Sequence, residues 1–462
     1  MSTLEGLWLG EAEHNGQTGS LLLELERRPD SGLAARLSFP TLHAWDVATV
    51  PVRRDGERLL IAGWTLERRA DGTLAGYLPS FFVPVHEIPV VFHRVEALAR
   101  GSQPPIEAPR ARPVWTRALG AAVWAGLETA GDLLFVGDDS GRVSALEVTS
   151  GETRWSFATG APVRARPSLL GTTLYAHSDD GHLYALDPDT GAERWRRSVG
   201  RGARVPPGTE GSRYDHYASG VGAAGGLVYL GTSPGLVLAL DPTSGEERWR
   251  FVAGDTVSGT PAVDRDRVFF GSFDGLVYAL DAATGQEVWR YDTGAPVVSS
   301  PALHRGLVVV GSRSYDLLAL DAATGELVWK HYYWFSWVES SVVVRDGIGY
   351  VGSSDGQQLL AVDLATGEPR WSFDTHGSAW PTPAVTDDAV FIGAVGVADY
   401  WAGHQGAFLA VDRFTGAPRW QYPLERSGTA STWGFAASPT TAGELVFTAD
   451  LGGTVYAFRQ SG

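Results

Sequence analysis

One phrase returns along most of this chain, and each time it ends on tryptophan. A clear copy runs Val268-Phe-Phe-Gly-Ser-Phe-Asp-Gly-Leu-Val-Tyr-Ala-Leu-Asp-Ala-Ala-Thr-Gly-Gln-Glu-Val-Trp289. The same pattern ends at Trp155, Trp195, Trp249, Trp329, Trp371 and Trp420, at successive intervals of 40, 54, 40, 40, 42 and 49 residues. Such a period marks a repeat architecture, in which each unit buries its apolar faces against its neighbours. Short alternating β-rich runs within each unit read as small antiparallel sheets, and radial stacking leaves few exposed edges. An eighth copy starts at Val446-Phe-Thr-Ala-Asp450 and stops at Tyr456-Ala-Phe458, before its Trp. Pro113-Val-Trp115-Thr-Arg117 lies 40 residues before Trp155 and supplies the missing strand. The sequence therefore predicts an all-β protein. Residues 113–462 form an eight-bladed β-propeller of four-stranded antiparallel blades, the last closed by the N-terminal strand.

The residue choices follow from strand physics. Asp180-Gly181, Asp274-Gly275 and Asp355-Gly356 are expected to supply left-handed conformations for tight hairpins. The Asp-x-x-Thr-Gly turn, as at Asp281 to Gly285, pairs a capping carboxylate with a glycine free to take positive φ. The recurring Trp is large enough to fill the space between blades.

The run Ala-Leu-Asp-x-x-Thr-Gly-x-x-x-Trp resembles the tryptophan-docking motif of pyrroloquinoline-quinone (PQQ)-dependent alcohol dehydrogenases. The same repeats occur in the outer-membrane assembly scaffold lipoprotein of Gram-negative bacteria. This PQQ-like resemblance covers residues 113–462 and speaks to fold, because the repeat motifs are structural. The dehydrogenase branch implies a quinone held beneath a disulfide of adjacent cysteines, with calcium-binding Glu, Asn and Asp. This chain has 0 Cys and no counterpart of the calcium ligands, so no cofactor is expected. The scaffold branch implies a non-catalytic protein-interaction role.

Residues 1–97 hold a different pattern of short strands: Gly6-Leu-Trp8-Leu-Gly10, Ser20 to Leu25, Leu33 to Leu37, Leu59-Leu-Ile61, Gly76-Tyr-Leu78 and Ile88 to Arg94. Turns at Asp30-Ser-Gly32, Asp55-Gly56 and Asp71-Gly72 suggest a small barrel. With Ser38-Phe-Pro40 at its centre, the series resembles the lipocalin-like module preceding some bacterial α/β-hydrolase domains. Residues 98–112 read as a Pro-rich linker.

Charge and composition narrow the function classes. The net charge is -16, from 37 basic against 53 acidic residues, and no Lys/Arg cluster interrupts it; a nucleic-acid partner is not expected. No apolar run approaches a bilayer-crossing length, so no membrane insertion is expected. Met1 to Trp8 has no basic segment followed by an apolar one, as a secretory signal would, and the expected location is cytoplasmic. Protein partners stay open.

Departures from the repeat gather on one face, where blade-to-blade connections and the loops between second and third strands lie. They are the insertion Arg201 to Tyr217, the connection His331-Tyr-Tyr-Trp334-Phe-Ser-Trp337-Val-Glu339, and the insert Val397-Ala-Asp-Tyr400-Trp401-Ala-Gly-His404. Loop embellishments on a rigid scaffold are where function usually resides. Aligning the innermost strands on Pro167, Pro261, Pro301, Pro383 and Pro439 puts Trp124, Arg164, Ala218, Ser258, Val298, Glu339, Trp380 and Ala436 near the channel mouth. Arg166, His216, Tyr217, Trp337, Trp433 and Phe435 are their neighbours.

The expectation is a mouth with aromatic walls and a few convergent polar groups. Glu339, His216, Tyr217 and Arg164 are the candidate catalytic residues. Trp124, Arg166, Ser258, Trp337, Trp380, Tyr400, Trp401, His404, Trp433 and Phe435 are the candidate binders of a small apolar or aromatic molecule. Glu339 or His216 would move a proton and Arg164 would polarise a carbonyl, in a cyclisation, isomerisation, elimination or hydrolysis without a redox cofactor. Each candidate has a structural reading beside this one. Glu339 could pair with Arg164 or Arg166 as an ion pair, His216 and Tyr217 could pin a long loop, and the Trp residues could be packing. His331, His376 and His404 lack metal-ligand spacing, so no metal site is expected.

Overall fold

A computed structural model describes residues 4–14, 17–29, 32–42, 44–61, 64–79, 87–99, 105–204, 215–264, 266–334, 336–398, 403–428 and 430–462. The chain divides into two compact units. The first comprises Met1–Pro105 with Tyr332–Ser336 and Ala398–His404; the second comprises Ile106–His331, Trp337–Val397 and Gln405–Gly462.

The first unit contains a closed up-and-down barrel of eight strands, running from Gly6–His14 to Glu87–Val95, which pair to close it. Alternation along the strands sends one set of side chains inward. Trp8, Leu21, Leu23, Leu25, Leu37, Trp64, Leu66 and Phe92 are buried. Gly10 is required by packing, because a Cβ there would lie 2.5 Å from the Phe92 ring.

The second unit is the eight-bladed propeller. Blade 1 consists of Glu128–Ala130, Leu133–Gly137, Arg142–Glu147 and Thr153–Ala158, and each later blade repeats this antiparallel order. The eighth blade joins Thr440–Ala442, Leu445–Ala449 and Thr454–Arg459 to Trp115–Ala118, so strands from both chain termini share one sheet. Blade 7 gains a fifth strand, Thr432–Gly434, which pairs with the long strand Ala389–Val397.

Blade-to-blade cohesion comes from the repeated Trp. Its indole N–H donates to a backbone carbonyl of the next blade at all eight junctions, from Trp115 to Val148 through Trp289 to Ala322 and Trp420 to Gln460, at 2.9–3.0 Å. The glycine of each Asp-x-x-Thr-Gly turn lies under the preceding blade's indole. Gly325 shows why it must be glycine: its φ is +77°, and a Cβ would meet the Trp289 ring at 2.7 Å. In the Asp187 turn the carboxylate accepts the Asp189 and Thr190 N–H groups and the Thr190 hydroxyl. With Arg194 also donating to it, its pKa falls to about 2.

Two expectations change in detail. Residues 106–112 belong with the propeller: Ile106 joins the apolar core of blades 6 and 7, and the Ala111 N–H donates to the Gln421 carbonyl at 2.9 Å. Gly181 and Gly275 take positive φ as expected, but in blade 6 the left-handed residue is Gln357, at φ 52°, instead of Gly356. That hairpin spans 353–357, one residue longer than the 272–275 loop of blade 4, which moves the turn along by one.

Candidate functional site

The channel is built from the innermost strand of each blade, and two rings of side chains line its upper half. The first ring is Arg164, Ala218, Ser258, Val298, Glu339 and Trp380, with Trp124 and Ala436 at the equivalent position of the other two blades. Two residues further along each strand, the second ring is dominated by hydroxyls. Thr260, Ser300, Ser341 and Ser438 each accept a backbone N–H from a neighbouring blade, of Gly220, Thr260, Ser300 and Thr382 respectively, at 2.9–3.0 Å. A hydroxyl that accepts this way keeps its own O–H to donate. The belt therefore staples inner strands together and still presents donors to the channel. Between and below these rings lies a cavity of about 360 Å³, lined by residues from all eight blades, including Glu128, Arg164, Arg166, Tyr217, Ser258, Ser300, Glu339, Trp380 and Ser438.

The expected open, aromatic-walled mouth is instead roofed. Trp124 stacks on His216 with centroids 4.3 Å apart and planes at 19°. Tyr217 sets its ring edge-on to Trp124, and its hydroxyl donates to the Ala436 carbonyl at 3.0 Å. The Trp380 indole donates to Ser354 Oγ at 2.9 Å. These aromatics pack on one another, which removes the apolar surface from water at that end. The lining below them mixes charged and hydroxyl groups with apolar ones in about equal measure.

An ionic cluster sits at the roof. Arg313 Nε donates to Glu339 Oε1 at 2.8 Å, and Arg313 Nη2 bonds both Glu339 Oε1 and Asp215 Oδ1. Its guanidinium lies 4.4 Å from the Trp337 ring centroid and 5.3 Å from that of Phe273, so rings flank the charge. Burial, with the Glu339 charge adding and Arg313 opposing, pushes Asp355 up to about 7. Burial and the Glu339 charge also hold the Tyr217 phenol well above its usual range, so it is a neutral donor. Two residues here have left-handed backbone: Asp215 at φ 67° and Tyr315 at φ 69°, the latter where blade 4 has Gly275. Non-glycine residues in that region are uncommon and cluster at functional sites.

The sequence candidates separate clearly. Arg164, Arg166, Tyr217, Ser258, Glu339 and Trp380 line the channel, and Trp124 and His216 form its roof. Glu339 does not pair with Arg164 or Arg166 as the structural reading had it, because each arginine has nearer acids. Arg164 bonds Asp139 at 3.0 Å and faces Asp179 at 3.6 Å, while Arg166 pairs with Glu128 at 3.0 Å. Burial raises the pKa of both Glu128 and Asp179. Trp337 reaches the site only through Arg313.

Trp433 lies elsewhere, on the extended hairpin of blade 7, where Gly396 and Gly406 make room for its ring. Phe435 is fully buried in the core between blades 7 and 8. His404 falls in the first unit, and Tyr400 and Trp401 lie outside the described residues, as do residues 205–214 of the long insertion. Burial lowers the His331 pKa. Among the described residues no three His, Asp or Glu side chains are grouped to hold a metal ion.

Sequence reasoning missed Arg313, Asp215 and Asp355. Arg313 and Asp355 sit on hairpin tips between second and third strands, where Gly311-Ser-Arg313-Ser-Tyr315 replaces the Gly271-Ser-Phe-Asp-Gly275 of blade 4. Comparing those tips across blades was the available signal.

The comparisons with known proteins agree with this architecture. None of the curated proteins matches the chain in sequence. Among solved structures, BamB from Moraxella catarrhalis is 18% identical, with a TM-score of 0.58 over 76% of this chain and 99% of that one. The computationally designed Ika8 protein is 19% identical, with a TM-score of 0.59 over 74% and 97% of the two chains. Quinohemoprotein alcohol dehydrogenase from Comamonas testosteroni is 16% identical, with a TM-score of 0.57 over 76% of each. Identities this low establish a shared fold and nothing about chemistry. The family model described as outer membrane protein assembly factor BamB matches residues 106–207, 185–332 and 273–462. Its overlapping matches span the propeller from end to end, and the chain belongs to that PQQ-like repeat family.

Proposed function

We propose that this protein binds a compact polar molecule in the central channel of its propeller and exchanges a proton with it through Glu339. The observation that carries the reading is the cavity of about 360 Å³ beneath the roof, into which hydroxyl donors and both charge signs converge from all eight blades. The charged and hydroxyl groups in that lining favour a ligand with polar groups to match them, where the sequence suggested an apolar one. Glu339 is the natural proton carrier. It lines the cavity, Arg313 fixes its orientation, and burial pushes the nearby Asp355 up to about 7, so the cluster can hold or give up a proton near neutrality. Acid–base chemistry of this kind draws on the chain's own residues and needs no redox group.

Filling the channel tests the reading. Ala218 lines the cavity and its methyl group makes no hydrogen bond, so Ala218→Phe removes space while sparing the polar network. A panel of polar metabolites screened by thermal shift should yield ligands that stabilise the parent protein and leave Ala218→Phe unmoved. Ligands that stabilise both equally, or none at all, would defeat the proposal.

A protein-interaction scaffold is the second reading, and membership of the BamB family favours it. Under it, Ala218→Phe would leave every binding activity of the protein intact.

A further inference from the structure

Resting on the channel-binding reading above, we propose that the ligand carries an ammonium group docked against Glu339 and Ser258, on an acceptor-rich body held by the hydroxyl belt. Among the described residues, the carboxylates of Asp215 and Glu339 both bond the guanidinium of Arg313, and Asp355 is a third acid within electrostatic reach of Glu339 and Arg313. The other cations of the channel are already matched by acids. Arg164 faces Asp139 and Asp179, and Arg166 faces Glu128. Of the two remaining polar groups at the roof, His216 stacks on Trp124 and the Tyr217 hydroxyl donates to Ala436. Among the described residues the site therefore carries more acid than cation on its channel side. Both bonds from Arg313 to Glu339 go to Oε1, so Oε2 keeps its acceptor capacity.

A second, independent observation points the same way. Ser258 is 4% exposed, lines the cavity on the same ring as Glu339, and its Oγ has no hydrogen-bond partner. A buried hydroxyl left unpaired carries a desolvation cost, which a ligand donor would recover. A metal ion needs several acids or histidines grouped around one point, and among the described residues no such group of three is found. An ammonium needs less: one carboxylate oxygen, one hydroxyl oxygen and nearby aromatic surface, which Trp380 and Tyr217 supply. The remainder of the ligand meets O–H donors from Thr260, Ser300, Ser341 and Ser438 and therefore has to be rich in acceptors. Without the ammonium the cluster satisfies itself by keeping a proton on Asp355. With it, that proton leaves for solvent.

Glucosamine, glucose and gluconate share one polyol body and differ in charge, which makes them suitable probes. Titration calorimetry on the full chain at about pH 6.5, where amines are protonated, should show glucosamine binding about tenfold more tightly than glucose, with gluconate weakest. The heat for glucosamine should vary with the buffer's ionisation enthalpy, reporting the released proton. Glu339→Gln should bring glucosamine down to the level of glucose. Because that change also disturbs Arg313, Ser258→Ala serves as the second variant, expected to weaken glucosamine about threefold to tenfold without altering the melt. Glucose binding as tightly as glucosamine would overturn the ammonium assignment while sparing the channel as a binding site. A glucosamine preference that survives both substitutions would overturn the placement at Glu339 and Ser258. Absence of binding by all three probes would overturn the inference, and would reach the channel reading only if the metabolite panel also found nothing.

Discussion

The turn side of the propeller and its roofed side are made from the same repeat, yet they spend it differently. On the turn side, every blade offers an indole to the next blade's carbonyl and a glycine beneath that indole, with little variation over eight junctions. On the roofed side, equivalent hairpin positions carry Asp139, Asp179, Ser233, Phe273, Arg313 and Ser354 in successive blades. A position whose identity is fixed by packing repeats, because each blade meets the same neighbour. A position that varies from blade to blade is free of that demand. Stability is made where the repeat is uniform, and the variable side leaves room for chemistry.

The contrast breaks first if the docking tryptophan proves dispensable. Trp289→Ala removes a buried ring and its bond to Ala322, and should cost about 3–5 kcal/mol in a denaturant titration. Next in size, Arg313→Met leaves Glu339 and Asp215 without their cation and should cost roughly 2–4 kcal/mol at alkaline pH. The penalty should shrink on acidification, as the carboxylates take up protons. Gly325→Ala forces a side chain into left-handed backbone and into the Trp289 ring, for roughly 1–3 kcal/mol. Val288→Arg on blade 4 adds the arginine that other blades carry before their Trp, and should change stability by less than about 0.5 kcal/mol because the site is exposed.

The pH dependence sharpens the same comparison, and its sign can be fixed. The folded-state pKa of Asp355, about 7, lies above the ordinary aspartate value. The folded protein therefore binds the extra proton between about pH 4 and about 7. Stability contributed by this group falls as pH rises through that window and stays lost above it. Asp355→Asn should remove that share, raising the melting temperature at about pH 8 relative to the parent and changing little near about pH 4. Asp316, pushed up to about 6 by burial, contributes a separate slope that this variant keeps. Turn-side Asp187 and Asp412, both lowered to about 2 by hydrogen bonding to an arginine and threonine, show the opposite sign: their stabilisation is lost only in strong acid.

The fold was legible because it is written eight times. Trp115, one interval before Trp155, was enough to show how the last blade closes. The first ring was legible too, since aligning inner strands on their prolines places Arg164, Ser258, Glu339 and Trp380 at one level. What failed to show was pairing. Glu339 and Arg164 share a ring, but each is neutralised by groups on hairpin tips, and no repeat position records which tip reaches which ring. The aromatic residues misled for a related reason. Trp124 and His216 come from distant parts of the chain, so their stacking into a roof depends on a loop path that residue types alone do not specify. Trp433 looked like a mouth residue until the fifth strand of blade 7 drew it onto Gly396 and Gly406.

On the reading proposed above, the channel under the roof is a ligand site. Saturation-transfer NMR with glucosamine, run on the parent protein and on Ala218→Phe under identical conditions, tests it most directly. The expected result is transfer to the sugar protons in the parent and none in the filled variant, with both proteins melting at the same temperature. Equal transfer in the two proteins would contradict it.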